Sequence, residues 1–123
     1  MGEREPLRIA LVEDDPSMAS AIVRMLRLMG MAAEHFRSAE HLLSAGGAGH
    51  HCYVVDIHLP GLSGLDLQRK LRSLPTPTPV ILITGDDDPD LQLDATQAGA
   101  AAVLIKPFTG RALADTVRRI ASR

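Results

Sequence analysis

A doubly wound α/β domain, with a five-stranded parallel sheet and helices on both faces, is the fold this sequence predicts. Two observations carry the prediction and a third bounds it. Short apolar runs alternate with stretches of helical periodicity five times along the chain. The clearest run, Val80–Thr84 (VILIT), is apolar at consecutive positions, as expected of a parallel strand covered on both sides by crossover helices. The length of 123 residues suits one domain. Right-handed crossovers then wind the chain around both faces of the sheet.

Leu7–Val12 (LRIALV) is the first strand, after a short polar leader over residues 1–6. Asp15 is an N-cap and Pro16 a first helical residue. The helix Pro16–Met29 places Met18, Ile22, Met25, Leu26 and Met29 on one face and ends at Gly30. Ala32–Phe36 is a weaker, partly polar strand that suits an edge. Ser38 caps a short helix over Ala39–Ala45, and Ala45–His51 (AGGAGHH) is loop. Cys52–Asp56 (CYVVD) is a β-branched strand. The helix Ser63–Leu74 has Leu67, Leu71 and Leu74 in register. The alternating prolines of Leu74–Pro79 forbid a helix and make an extended connector. Val80–Thr84 is the fourth strand, Pro89–Ala98 a helix ended by Gly99, and Ala102–Ile105 the fifth strand. A last helix, Thr109–Ser122, turns Leu113, Val117 and Ile120 inward.

Composition excludes several functions. Thirteen Lys and Arg against fifteen Asp and Glu leave a net charge of −2, with no basic excess to neutralise a nucleic-acid backbone. Two Phe, one Tyr and no Trp offer no base-stacking platform. Cys52 is the single cysteine, which rules out an internal disulfide and a cysteine zinc site. The longest apolar run, Ala98–Ile105, has eight residues, against about 20 for a membrane helix. The N-terminus lacks the apolar stretch of a secretory signal. A cytoplasmic domain, residues 7–123, with no output domain in this chain is the expectation.

Ligands of open parallel sheets lie beyond the carboxyl ends of the strands, where strand order reverses. Four strand ends here carry chemistry: Glu13-Asp14-Asp15, Asp56, Thr84-Gly85 and Lys106-Pro107. Singly, each has a structural explanation; acids after strands often cap helices. Together they crowd the carboxylates of Glu13, Asp14 and Asp56 beside one hydroxyl and one ammonium. Such carboxylates repel unless a cation intervenes, and hard oxygen ligands suit Mg²⁺. A divalent cation and Lys106 would balance the charge of Glu13, Asp14 and Asp56. A carboxylate in that setting can accept a phosphoryl group, the work being positioning and electrostatics.

The order Glu13-Asp14, Asp56-Ile-His-Leu-Pro60-Gly-Leu-Ser-Gly64, Thr84-Gly85 and Lys106-Pro107-Phe108 resembles the receiver domain of two-component response regulators, from about Leu7 to Ile120. The resemblance implies a flavodoxin-like fold of receiver type. It implies Asp56 as phosphoacceptor, Asp14 as a direct Mg²⁺ ligand, Glu13 as a ligand largely through water, and the His58 carbonyl as a further ligand. Thr84 would be the switch hydroxyl, Lys106 the phosphoryl partner with a cis bond to Pro107, and Gly64 the residue permitting the turn into the next helix. The implied partners are a sensor histidine kinase or a histidine phosphotransfer protein. Through residues 89–122 the domain would reach an output domain, an effector protein or a second copy of itself. Three positions depart from the pattern. Glu13 and Leu59 stand where Asp and Met are commoner, and Val103 occupies the place of the switch aromatic. Asp86-Asp87-Asp88 adds negative charge after Thr84, and His58 and Asp86 would border the approach of a hydrolytic water.

The other histidines read as surface residues: His50 and His51 in the Gly-rich loop, His35 and His41 exposed. Two competing functions remain open at this level. One is a receiver-fold interaction module that works without phosphorylation, towards which Val103 and the acidic run lean. The other is a haloacid-dehalogenase-type phosphatase, disfavoured because His58 stands where its second acid belongs.

Overall fold

The computed structural model describes residues 5–45, 49–74, 78–85 and 88–121. Parts of the leader, the Gly-rich loop and the proline connector, together with Asp86, Asp87, Ser122 and Arg123, lie outside the described residues. The elements in order are β1 (Arg8–Val12), α1 (Pro16–Leu28), β2 (Ala32–Phe36), α2 (Ala39–Ser44) and β3 (Cys52–Asp56). They continue with α3 (Gly64–Arg72), β4 (Val80–Thr84), α4 (Pro89–Gln97), β5 (Ala102–Ile105) and α5 (Gly110–Ile120). All five strands pair in parallel in the order β2-β1-β3-β4-β5. This is the doubly wound α/β sheet expected from the alternation of runs.

The strand pattern sorts the core onto two faces. Ile9, Leu11, Cys52, Val54, Ile81 and Ile83 pack with Ile22 and Leu26 of α1 and Leu113 and Val117 of α5. Ala10, Val12, Tyr53, Val55, Val80 and Leu82 pack with Leu42 of α2, Leu67 and Leu71 of α3, and Ala95 of α4. Every residue of β3 and β4 is buried, which is why those runs show no polar alternation. The partly polar β2 lies at an edge, as its composition suggests.

The helices begin at side-chain caps. Asp15 accepts from the amides of Ser17 and Met18, Ser38 from His41, Ser63 from Asp66 and Thr109 from Ala112. These caps satisfy amides that have no partner within the helix. One helix is shorter than its leucine spacing predicts. The α3 helix stops at Arg72, so Leu74 lies beyond it and is 48% exposed. Ser73 ends the helix by donating its hydroxyl to the Lys70 carbonyl. The periodicity continues in sequence past the point where the backbone ceases to follow it. At α5, Leu113 and Val117 are buried and Ile120 only partly so.

Strand order reverses between β1 and β3. The chain leaving β1 carries Glu13 and Asp14, and β3 ends on Asp56. Sheet topology thus brings together acids more than forty residues apart in sequence.

Candidate functional site

Asp56 is 6% exposed and is held from two directions. The His58 amide donates to its Oδ1 at 2.8 Å, and Lys106 Nζ donates to its Oδ2 at 3.2 Å. Lys106 also lies 3.5 Å from Glu13 Oε1. It is delivered from the end of β5, its amide donating to the Thr84 carbonyl at 2.7 Å. The Lys106–Pro107 peptide is cis, as the resemblance implied. Thr84 ends β4 and is fully buried, one strand away from Asp56. Four strand ends therefore meet at one edge, as the parallel reading required.

Carboxylate oxygens of Glu13, Asp14 and Asp56 lie within 4.8 Å of one another. Glu13 and Asp56 are buried and Asp14 is exposed, so the cluster has one open side. Asp15 stands apart, since its carboxylate is used in capping α1. Burial is the main cause that pushes the Glu13 carboxyl up to about 7. The Asp15 amide opposes this, the Asp56 charge adds to it, and Lys106 opposes it. Burial alone would lower Lys106, but the Asp56 and Glu13 carboxylates outweigh it and raise its pKa. Glu13 Oε1 is buried, with the Lys106 ammonium at 3.5 Å and no closer hydrogen-bond donor among the described residues. A buried carboxylate oxygen met only by that long ion pair, beside two further carboxylates, fits a hard cation that binds through oxygen.

Gly64 matters for a reason the turn reading did not supply. A Cβ there would lie 2.3 Å from the Asp56 carbonyl and 2.7 Å from Ile57 Cα. Its φ is not positive, whereas that of Gly61 is +73°. The start of α3 is thus packed directly on the backbone that carries Asp56, a spacing only glycine allows. Val103 is half-buried in the cluster formed with α2, α3 and α4. Asp88 caps α4, accepting from the Asp90 amide at 2.9 Å. Asp86 and Asp87 lie outside the described residues. His58 is exposed and holds Asp56 through its amide.

Three histidines correct the sequence reading, among them His51, which is half-buried with its Nδ1 accepting from the Arg8 amide at 2.9 Å. His35 is half-buried, and its Nε2 lies 2.7 Å from the Glu13 carbonyl. Alternation along β2 places it opposite Phe36, on the covered face that Ala33 shares, which was the available signal. The His50 side chain is 10% exposed and pairs with Glu34 at 3.0 Å, its ring packed against Phe36 and Tyr53. His50, at the end of that loop, lies against the edge strand, which local composition does not show. His41 is exposed as expected, with its ring edge-on to Phe36.

The comparisons with known proteins agree with this geometry. Nodulation protein W of Bradyrhizobium diazoefficiens is 38% identical over 110 residues, covering 89% of this chain and 48% of the relative. The transcriptional regulatory protein FixJ of Azorhizobium caulinodans is 34% identical, covering 93% of this chain and 54% of the relative. The chain thus spans about half the length of these relatives. The solved structure of the BeF3-activated DrrB receiver domain superposes with a TM-score of 0.87 at 29% identity, covering 96% of this chain and 99% of that one. A family model described as the response regulator receiver domain matches residues 9–118, from the second residue of β1 through most of α5. With the acids of β1 and β3 and the lysine of β5 gathered at one sheet edge, this chain belongs to the response regulator receiver domain family.

Proposed function

We propose that this domain accepts a phosphoryl group on Asp56 from a phosphohistidine of a sensor kinase or phosphotransfer protein, in a Mg²⁺-dependent reaction in the cytoplasm. The observation that carries the reading is the pairing of Asp56 Oδ2 with Lys106 Nζ at 3.2 Å beside the Glu13–Asp14 acids. A carboxylate oxygen of Asp56 forms a bond to phosphorus as the phosphorus–nitrogen bond of the donor breaks. The leaving electron pair goes to the imidazole nitrogen.

Glu13, Asp14, Asp56 and the His58 carbonyl are the residues that would hold Mg²⁺. When bound, the ion would supply charge neutralisation to the transferring group. Lys106 is placed to move from the free carboxylate to a phosphoryl oxygen. Thr84 is the hydroxyl that reports the modification to the surface formed by α4, β5 and α5. That surface then changes its affinity for an output domain, an effector protein or a second copy. The similar DrrB receiver domain is described as BeF3-activated, which supports reading the present domain as one that can be activated.

The test is incubation with acetyl phosphate and Mg²⁺, read by intact mass. The parent chain is expected to gain one phosphoryl group, Asp56→Asn none, and chelation of Mg²⁺ should stop uptake. Undiminished labelling of Asp56→Asn would move the acceptor elsewhere. An unlabelled parent would favour the interaction module that does not use phosphorylation, the reading towards which Val103 leans.

A further inference from the structure

The register of β1 and β2 pairs Arg8 with Ala32 and ends with Val12 opposite Phe36. One further rung follows, in which the Glu13 amide donates to the Phe36 carbonyl at 3.1 Å. In a parallel ladder, the Glu13 carbonyl would next accept from the amide of Ser38. That bond is not made among the described residues. The β2 strand has ended, and Ser38 has become the cap of α2. The Glu13 carbonyl would be left without a partner beside a partly buried cluster of carboxylates, an unfavourable place for an unmet acceptor. His35 fills the vacancy, with its Nε2 2.7 Å from that oxygen. A carbonyl only accepts, so the proton of the imidazole sits on Nε2.

We propose that His35 is a positioning residue for the metal site: its Nε2–H replaces the missing ladder bond and fixes the peptide that joins Glu13 to Asp14. The carbonyl it holds belongs to the same peptide unit as the Asp14 amide. Rotation of that unit would swing the exposed Asp14 carboxylate away from Glu13 and Asp56. The edge strand β2 contributes no carboxylate to the cluster, yet it sets the geometry of the loop that does. This inference rests on reading Glu13, Asp14 and Asp56 as the metal ligands.

The probe is Mg²⁺ alone, titrated into the unphosphorylated chain and followed by the amide shifts of Asp14, Asp56 and His58. His35→Leu is expected to weaken binding roughly tenfold, while His35→Gln, whose terminal N–H reaches the same carbonyl, stays within about threefold of the parent. His35→Asn, with the same amide on a side chain one methylene shorter, behaves like His35→Leu. The amide shifts of Val54 and Leu113 should stay at parent values, which separates positioning from loss of fold. Parent-like Mg²⁺ binding in His35→Leu overturns the inference. So does equal weakening in His35→Gln and His35→Asn. A parent chain that binds no Mg²⁺ defeats the metal-site reading itself, whereas parent binding untouched by His35→Leu defeats only the role of His35.

Discussion

Glu13 shows how a single side chain couples fold and chemistry. It is 1% exposed, and burial pushes its carboxyl up to about 7 from the ordinary 4.5. Between those two values the folded domain binds more protons at this position than the unfolded chain. Stability of the metal-free domain attributable to Glu13 therefore falls as pH rises from 4.5 to about 7 and is level above. A divalent cation requires the ionised form. Mg²⁺ affinity is thus expected to climb from about pH 6 to about pH 8, with proton release on binding near neutrality. In Glu13→Gln the affinity should be weaker and its pH dependence flatter. Mg²⁺ titrations at the two pH values check this, and an equal slope in parent and variant would count against it.

The helices differ in how firmly they are anchored, and this shapes the expected output. In α5, Leu113, Ala114, Thr116 and Val117 are buried, whereas in α4 only Ala95 is. The α4 helix begins at the Asp88 cap, shortly after Thr84 at the end of β4. A helix with one fully buried residue costs little to shift. Movement at Thr84 should therefore pass first to α4. Val103 sits in β5, half-buried against the same cluster as Ala95, and has no ring to rotate. Thr84→Ala is expected to remove most of the phosphorylation-induced amide shift changes across α4, β5 and α5. Val103→Ala should retain them while losing about 1 kcal/mol of stability through truncation of a partly buried side chain. Equal loss of the shift changes in both variants would show that Val103 transmits the signal as an aromatic would.

The domain has two cores, one on each face of a single sheet, and β3 runs through the middle of both. Cys52 opens that strand and is fully buried, with β1 and β4 on either side. Burial pushes its thiol up to about 12 from the ordinary 9.0. The unfolded thiol ionises first, so stability falls between 9 and about 12 as pH rises. Below that window, alkylation should need opening of the whole sheet. The free energy from Cys52 labelling kinetics is then expected to match that from urea unfolding, on the order of 5–15 kcal/mol for a domain of this size. Labelling much faster than global unfolding predicts would mean that β3 opens locally.

Much of this molecule was legible in the chain. The unbroken apolar runs of β3 and β4 marked strands covered on both faces, and parallel connection then sent every strand end to one edge. Glu13, Asp14, Asp56, Thr84 and Lys106 could be gathered without coordinates because each follows or ends a strand. That inference needs only the alternation of periodicities and the handedness of crossovers. Leu74 was misread because its spacing matches a helix that the Ser73 cap has already ended. His35, His50 and His51 were misread because they lie beside the polar edge and ends of the sheet, where the pattern is weak. There, burial depends on which neighbour folds across: His50 reaches Glu34, and the ring of His35 turns to a carbonyl left over when β2 stops short. Gly64 was noted for its turn, yet its need arises from the Asp56 carbonyl packed against it. Strand and helix periodicity are local properties that sequence records directly. The partner of a side chain at a sheet edge is set by packing between segments distant in sequence, and only the assembled fold contains that information.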